Sequence, residues 1–193
     1  MTQAVHVVGV GMIPFTKPGA SEAYDVMGSR AARLALDDAR IDYALVQQAY
    51  VGYVYGDSTA GQAAIYGVGL SGIPVVNVNN NCATGSTALW LARQAVASGA
   101  ADCVLALGFE QMVPGALKEG WTDRPSPLGR FSSALQAYQG LDAKAPFAAQ
   151  FFGGAARDYI AEHGIAPSTF ARISVKARQH AARNPLAVCR QTV

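Results

Sequence analysis

The side chains with nucleophilic or acid/base capacity near neutral pH are few in this 193-residue chain: Cys82, Cys103 and Cys189, with His6, His163 and His180. Three cysteines, odd in number and widely spaced, form neither a disulfide framework nor the paired ligands of a zinc site. Cys82 differs from the others in its surroundings, residues 75–98, VVNVNNNCATGSTALWLARQAVAS. Val75, Val76 and Val78 suit a short buried strand, and Asn79, Asn80 and Asn81 supply side chains that favour a helix N-cap. Cys82 then falls in the first turn of the next helix. Free backbone N–H groups and the macrodipole favour an anion there, and the thiolate is the nucleophilic form of cysteine. The small residues Ala83, Thr84, Gly85 and Ser86 would let an extended substrate approach the sulfur. Spacing alone leaves two readings open, a nucleophile or a small buried apolar residue.

The other candidates are weaker. Cys103 sits in the apolar run DCVLALGF with no basic neighbour and reads as a core filler, and Cys189 lies in a terminal segment. His6 falls inside a predicted strand and reads as structural. His163 precedes Gly164, where a cation suits a helix C-terminus, and His180 shares a basic helix face with Lys176, Arg178 and Arg183. None makes a convincing catalytic base.

The elements that must position Cys82 alternate. Residues 4–10 (AVHVVGV) read as a buried strand, and Ser21 as the N-cap of a helix reaching about Ala39, with Met27, Ala31, Leu34 and Ala35 on its apolar face. Residues 48–55 form a second strand whose tyrosines read as packing residues, and residues 60–69 a short helix. The Val75 strand follows, then a helix ended by Ser98-Gly99, then a strand over 102–109. With Arg93 its one charge, the helix after Cys82 is expected to be buried on every side. The order β-α-β-α-β-α-β describes an α/β layered unit, placed at residues 1–112. Residues 113–193 form a second region: an irregular excursion over 113–140, rich in Pro, Gly and Ser, then helices over 147–163 and 168–183. Gly9-Val10-Gly11 has the start of a dinucleotide-binding fingerprint, but Pro14 stands where the third glycine belongs and no helix follows at once, which excludes that site.

Composition narrows the function classes. Hydrophobic residues make up 51% and charged residues 15%, which favours an oligomer over a solitary monomer, and a net charge of +2 without Lys/Arg blocks gives no support for nucleic-acid binding. Cysteine usage and the missing secretory pattern at the N-terminus point to a reducing cytoplasm. Residues 58–92 carry no charge, but Pro74, the asparagines and the glycines make a buried core the expectation over a membrane span. No metal site is expected.

NNNCATGSTAL, followed by CVLALGFEQM, resembles the thiolases, and within them the sterol-carrier-protein-x or lipid-transfer-protein type. Weaker similarity extends from VHVVGVGMIPF to KARQHAARNP. In that family the cysteine of this motif accepts the acyl group, and it maps onto Cys82. The resemblance implies the N-terminal half of a fold that packs two such α/β units together, with a buried nucleophile helix and part of a helical loop domain. That loop domain covers the active site and helps to bind coenzyme A, the cosubstrate; Lys118, Arg124 and Arg130 could meet its phosphates, or be solvated loop charges.

Thiolytic cleavage of a 3-ketoacyl-CoA needs a thiolate, donors for a tetrahedral oxyanion and an acid/base group. Thiolases draw an asparagine or histidine motif, a Gly-His-Pro histidine and a second cysteine from their C-terminal half, and no Gly-His-Pro occurs here. The resemblance therefore implies an acyl-CoA acyltransferase that is incomplete and inactive as an isolated chain. A homodimer, a chain supplying the C-terminal half, or an acyl-CoA-binding partner would complete it. Two alternatives keep the fold: a retro-aldolase subunit of steroid side-chain degradation, in which the cysteine need not be the nucleophile, and a non-catalytic scaffold.

Overall fold

A computed structural model describes residues 4–114 and 121–193. The chain divides into two compact units, Met1–Ala116 with Pro185–Val188, and Leu117–Asn184 with Cys189–Val193.

The first unit is built on a three-stranded parallel sheet in the order β2-β1-β3: β1 Gln48–Gly52, β2 Val75–Val78 and β3 Val104–Gly108. Register is continuous, with Gly52 opposite Val78 on one side and Gly108 on the other. Helices α1 (Tyr24–Ala39) and α2 (Ala60–Tyr66) cover one face. Ala49 and Val51 of β1 and Leu105 and Leu107 of β3 meet Ala32 and Leu36 of α1 and Ala64 and Ile65 of α2 there, in one buried cluster. Since side chains alternate along a strand, Tyr50 and Gly52 face the other way. Helix α3 (Thr84–Ala97) lies on that side through Thr84, Ala88, Ala92 and Ala95. A Cβ on Gly52 would stand 2.7 Å from the Thr84 methyl, so only glycine lets β1 and the start of α3 come this close.

The α/β layered class expected from sequence is what forms, with three local differences. Residues 4–10 add no strand to the sheet: Val7, Val8 and Val10 are exposed, and the backbone lies on α1 instead. Gly9 and Gly11 make this possible, since a Cβ on either would stand 2.3 Å from a carbonyl oxygen of Ala35 or Ala31. Val10 N–H donates to Asp38 Oδ2 at 2.9 Å, and His6 is exposed. Helix α1 also starts at Tyr24, after an uncapped Ala23, and not at Ser21.

The third difference is in α3. Its sheet-facing stripe is buried, but Leu89 and Trp90 are each 54% exposed. Arg93 is its one charge, so burial on every side was the expectation; a single sheet layer covers only one side.

In the second unit, α5 (Phe147–His163) and α6 (Ser168–Arg183) occupy their expected spans, with Gly164 left-handed at φ 62° after α5. The excursion expected to be irregular contains a helix, α4 (Gly129–Gln139). Pro127 lies just before its start and the helix formers Ala134, Leu135, Gln136 and Ala137 propagate it. Among the described residues no helix is long and apolar enough to cross a membrane. The charge-free stretch over 58–92 instead divides among α2, β2 and the start of α3.

Candidate functional site

Cys82 lies beyond the C-terminal end of β2, the edge of a parallel sheet at which α/β proteins bind ligands. It stands before α3 and not within its first turn, because Ala83 is the N-cap and Thr84 the first helical residue. The thiol is exposed and its sulfur is 3.9 Å from Asn81 Oδ1.

The asparagine run shapes this turn in a way its N-cap propensity did not foretell. Asn79 Oδ1 accepts the Asn81 N–H at 3.1 Å, an Asx turn, and Asn81 takes a left-handed conformation at φ 47°, which asparagine tolerates. Thr84 is the buried pivot: its hydroxyl accepts the Asn80 N–H at 2.8 Å and donates to Asn81 O at 2.6 Å. Asn80 Nδ2 donates to Thr87 Oγ1 at 3.0 Å. No side chain caps α3; the Thr84 N–H donates back to Asn81 O at 3.0 Å, which leaves the N–H groups of Gly85 and Ser86 for another acceptor. A Cβ on Gly85 would meet nothing within 4 Å, so the sulfur's small neighbours do border open space.

Two more strand ends reach this edge. Tyr53 N–H, just past β1, donates to Val78 O at 3.3 Å, and Phe109 N–H, just past β3, donates to Gly52 O at 3.2 Å. The Tyr53 and Phe109 rings stack, with centroids 5.2 Å apart and planes at 6°. Burial pushes the Tyr55 hydroxyl above its ordinary value, and the charges of Glu110 and then Cys82 add to that shift. Glu110 accepts the Tyr55 N–H at 3.0 Å past the end of β1, a pairing at this edge that sequence reasoning missed. Tyr55 was assigned to packing, and nothing in local spacing links it to Glu110.

The other candidates divide between the two units. Cys103 is part-buried against the apolar core, and burial pushes its thiol up, as expected of a filler. Cys189 is exposed. His163 lies on α5 with its ring 4.4 Å from that of Tyr159, and His180 is exposed on α6. Of the cations suggested for phosphates, Arg124 is engaged locally, at 2.8 and 2.9 Å from the Asp123 carboxylate and 4.4 Å above the Trp121 ring. Arg130 is exposed in the first turn of α4, and Lys118 lies outside the described residues. No group of three or more His, Cys, Asp or Glu that could hold a metal occurs among the described residues.

The family model for the thiolase N-terminal domain matches residues 5–190. Sterol carrier protein 2 of Gallus gallus is 50% identical over 187 residues, covering 96% of this chain and 34% of the relative. Benzoylsuccinyl-CoA thiolase subunit BbsB of Thauera aromatica is 32% identical over 190 residues, 97% of this chain and 46% of the relative. Among solved structures, an Ltp2-ChsH2(DUF35) aldolase overlays 96% of this chain and 46% of its own at a TM-score of 0.70, with 21% identity, a likeness of fold. The chain thus spans about a third of the sterol carrier protein 2 relative and under half of the other two. With its α/β layers and a match over nearly its whole length, this chain belongs to the thiolase family, as a counterpart of its N-terminal domain.

Proposed function

We propose that this chain carries the nucleophile of an acyl-CoA acyltransferase of the lipid-transfer type, which cleaves or forms a 3-ketoacyl-CoA with a fatty or sterol side-chain acyl group. Cys82 is the acyl acceptor. Its thiolate attacks the keto carbon, and the carbon–carbon bond breaks with its electrons leaving on the acetyl-CoA carbanion, which takes a proton from the acid/base group. The acyl group is held as a thioester until the coenzyme A thiol takes it and frees the cysteine. The observation that carries this reading is the position of Cys82: exposed, at the carboxyl edge of the sheet, before an uncapped helix and beside the open space at Gly85. The uncapped N–H groups are suited to a developing oxyanion. Half-identity to a sterol carrier protein and similarity to a subunit named for a CoA thioester support the substrate class.

The acid/base group and the remaining oxyanion donors come from outside this chain's own site, in a C-terminal half or a partner chain, and without them catalysis is poor because such groups act as a unit. A dimer in the cytoplasm is the expected working form.

A second reading has one observation in its favour, the fold overlay with the Ltp2-ChsH2(DUF35) aldolase, named together with a DUF35 chain. In that reading the chain is the thiolase-fold subunit of a retro-aldolase with an acyl-CoA-binding partner, and activity survives Cys82→Ala.

Iodoacetamide labelling of Cys82 across pH, with and without an acyl-CoA, followed by mass spectrometry, tests the first reading. The expected result is labelling at a pH where Cys103 and Cys189 do not react, and protection by acyl-CoA. Labelling no faster than Cys189, with no protection, would overturn it.

A further inference from the structure

The turn that leaves β1 is held by side chains. Glu110, two residues past β3, reaches across β1, and its two carboxylate oxygens accept consecutive N–H groups, Val54 at 2.9 Å and Tyr55 at 3.0 Å. Only a carboxylate offers an acceptor on each of its two terminal atoms; the amide of glutamine offers one. The Tyr53–Phe109 stack and a bond from the Tyr53 hydroxyl to Asp57 O at 2.9 Å fix the two sides of the same turn. Tyr55 and Glu110 line a cleft of about 190 Å³ with Tyr24, Asp57 and Phe109.

Register brings this turn and Cys82 to the same edge of the sheet. β1 and β2 are neighbours with Gly52 opposite Val78, so Tyr55 and Cys82 leave adjacent strands at the same edge, three and four residues beyond that pair. Adjacent strands lie about 4.8 Å apart.

We propose that Glu110 is a positioning residue of the Cys82 site, acting through the turn after β1 to set the Tyr55 hydroxyl as a hydrogen-bond donor beside the sulfur and the acyl group it takes. The inference rests on the reading of Cys82 as the acyl acceptor. Burial and the charges of Glu110 and Cys82 oppose ionisation of Tyr55, which keeps its proton available to donate.

The sign of the effect separates positioning from plain charge. A carboxylate acting only by its charge disfavours a nearby thiolate, so deleting it would speed alkylation of Cys82. With alkylation read at pH 7, below the ordinary thiol value of about 8.5, a positioning carboxylate acts the other way. Its loss removes the Tyr55 donor that favours the thiolate, the thiolate fraction falls by more than its nucleophilicity gains, and alkylation slows.

The experiment is a double-mutant cycle read as the iodoacetamide rate at Cys82, with Cys103 and Cys189 as references in the same protein. Tyr55→Phe and Glu110→Ala are each expected to slow Cys82 by roughly three- to tenfold, with the double variant no slower than either, as for residues that share one interaction. Glu110→Gln, which keeps one acceptor, should lose less. If Glu110→Ala does not fold, Glu110→Gln in the wild-type and Tyr55→Phe backgrounds completes the cycle. Faster labelling in a Glu110 variant, additive losses, or an unchanged rate in Tyr55→Phe would overturn the proposal. Failure of the acyl-acceptor reading would show separately, as wild-type Cys82 that acyl-CoA does not protect.

Discussion

The two units hold themselves together by different means. In the first, small residues let layers approach: Ala49, Ala64 and Ala88 are fully buried, Val51 and Ile65 fill the core, and helices cover both sheet faces. In the second, Gly154 is the one buried residue within the three helices, while Phe131, Tyr138, Phe152 and Ile173 are more than half exposed. Its joint is polar. Gln150 Oε1 accepts the Asp142 N–H at 2.8 Å, and its amide donates to Asp142 O and Ala145 O, each at 2.9 Å. Gln139 Nε2 donates to Gln150 O at 3.1 Å, and its carbonyl accepts from Arg157 at 3.1 Å. Apolar content alone therefore does not make a core. A sheet presents a flat apolar face that small residues can bring within van der Waals range, whereas long helices with scattered aromatics need a further surface to cover them.

This contrast can be broken at its strongest point. Ile65→Ala removes a side chain that is 1% exposed and should cost about 2–5 kcal/mol of stability, read from urea unfolding followed by Trp90 fluorescence. A cost under about 1 kcal/mol would mean that the first unit is as loosely built as the second. Gly52→Val forces a Cβ to within 2.7 Å of the Thr84 methyl. It should cost roughly 1–3 kcal/mol and alter the alkylation rate of Cys82, because the displaced Thr84 anchors the asparagine turn.

In the second unit, Gln150→Ala removes three side-chain hydrogen bonds and should destabilise the joint by about 1–2 kcal/mol. Hydrogen exchange should show this as loss of protection in α4 and α5 with none in β1, the signature of a local opening. Protection lost equally in both units would join them into one cooperative body.

Smaller effects sharpen the same line. The Cys103 thiol is pushed up by burial, so its folded value exceeds its unfolded one; the stability it contributes is complete below its ordinary value of 9.0 and is lost as pH rises through the raised one. Thermal scans should therefore show a shallow fall on the alkaline side of that value, and Cys103→Ala should flatten it. Ile173→Ala, at a position 62% exposed on α6, should stay within about 0.5 kcal/mol.

Much of the fold was legible in local pattern. Alternating apolar runs and turn residues placed β1, β2, β3, α5 and α6, because each rests on periodicity and caps that are properties of short segments. Cys82 stood out for the same reason, as a cysteine between a β-branched strand and a run of small helix formers. What the sequence could not fix depends on which surfaces meet. Residues 4–10 have the composition of a buried strand, yet Gly9 and Gly11 lay that backbone on α1, and only packing chooses between a sheet and a helix as partner. Helix α3, with Arg93 its one charge, was expected to be covered all round, but coverage is a count of layers and not a property of a helix. The Glu110 clamp joins residues 55 and 56 positions apart, and the parallel order β2-β1-β3 alone brings them to one edge with Cys82. Sequence determined which residue could be a nucleophile; the sheet decided which strand ends share its edge, because strand register fixes neighbours that chain separation does not.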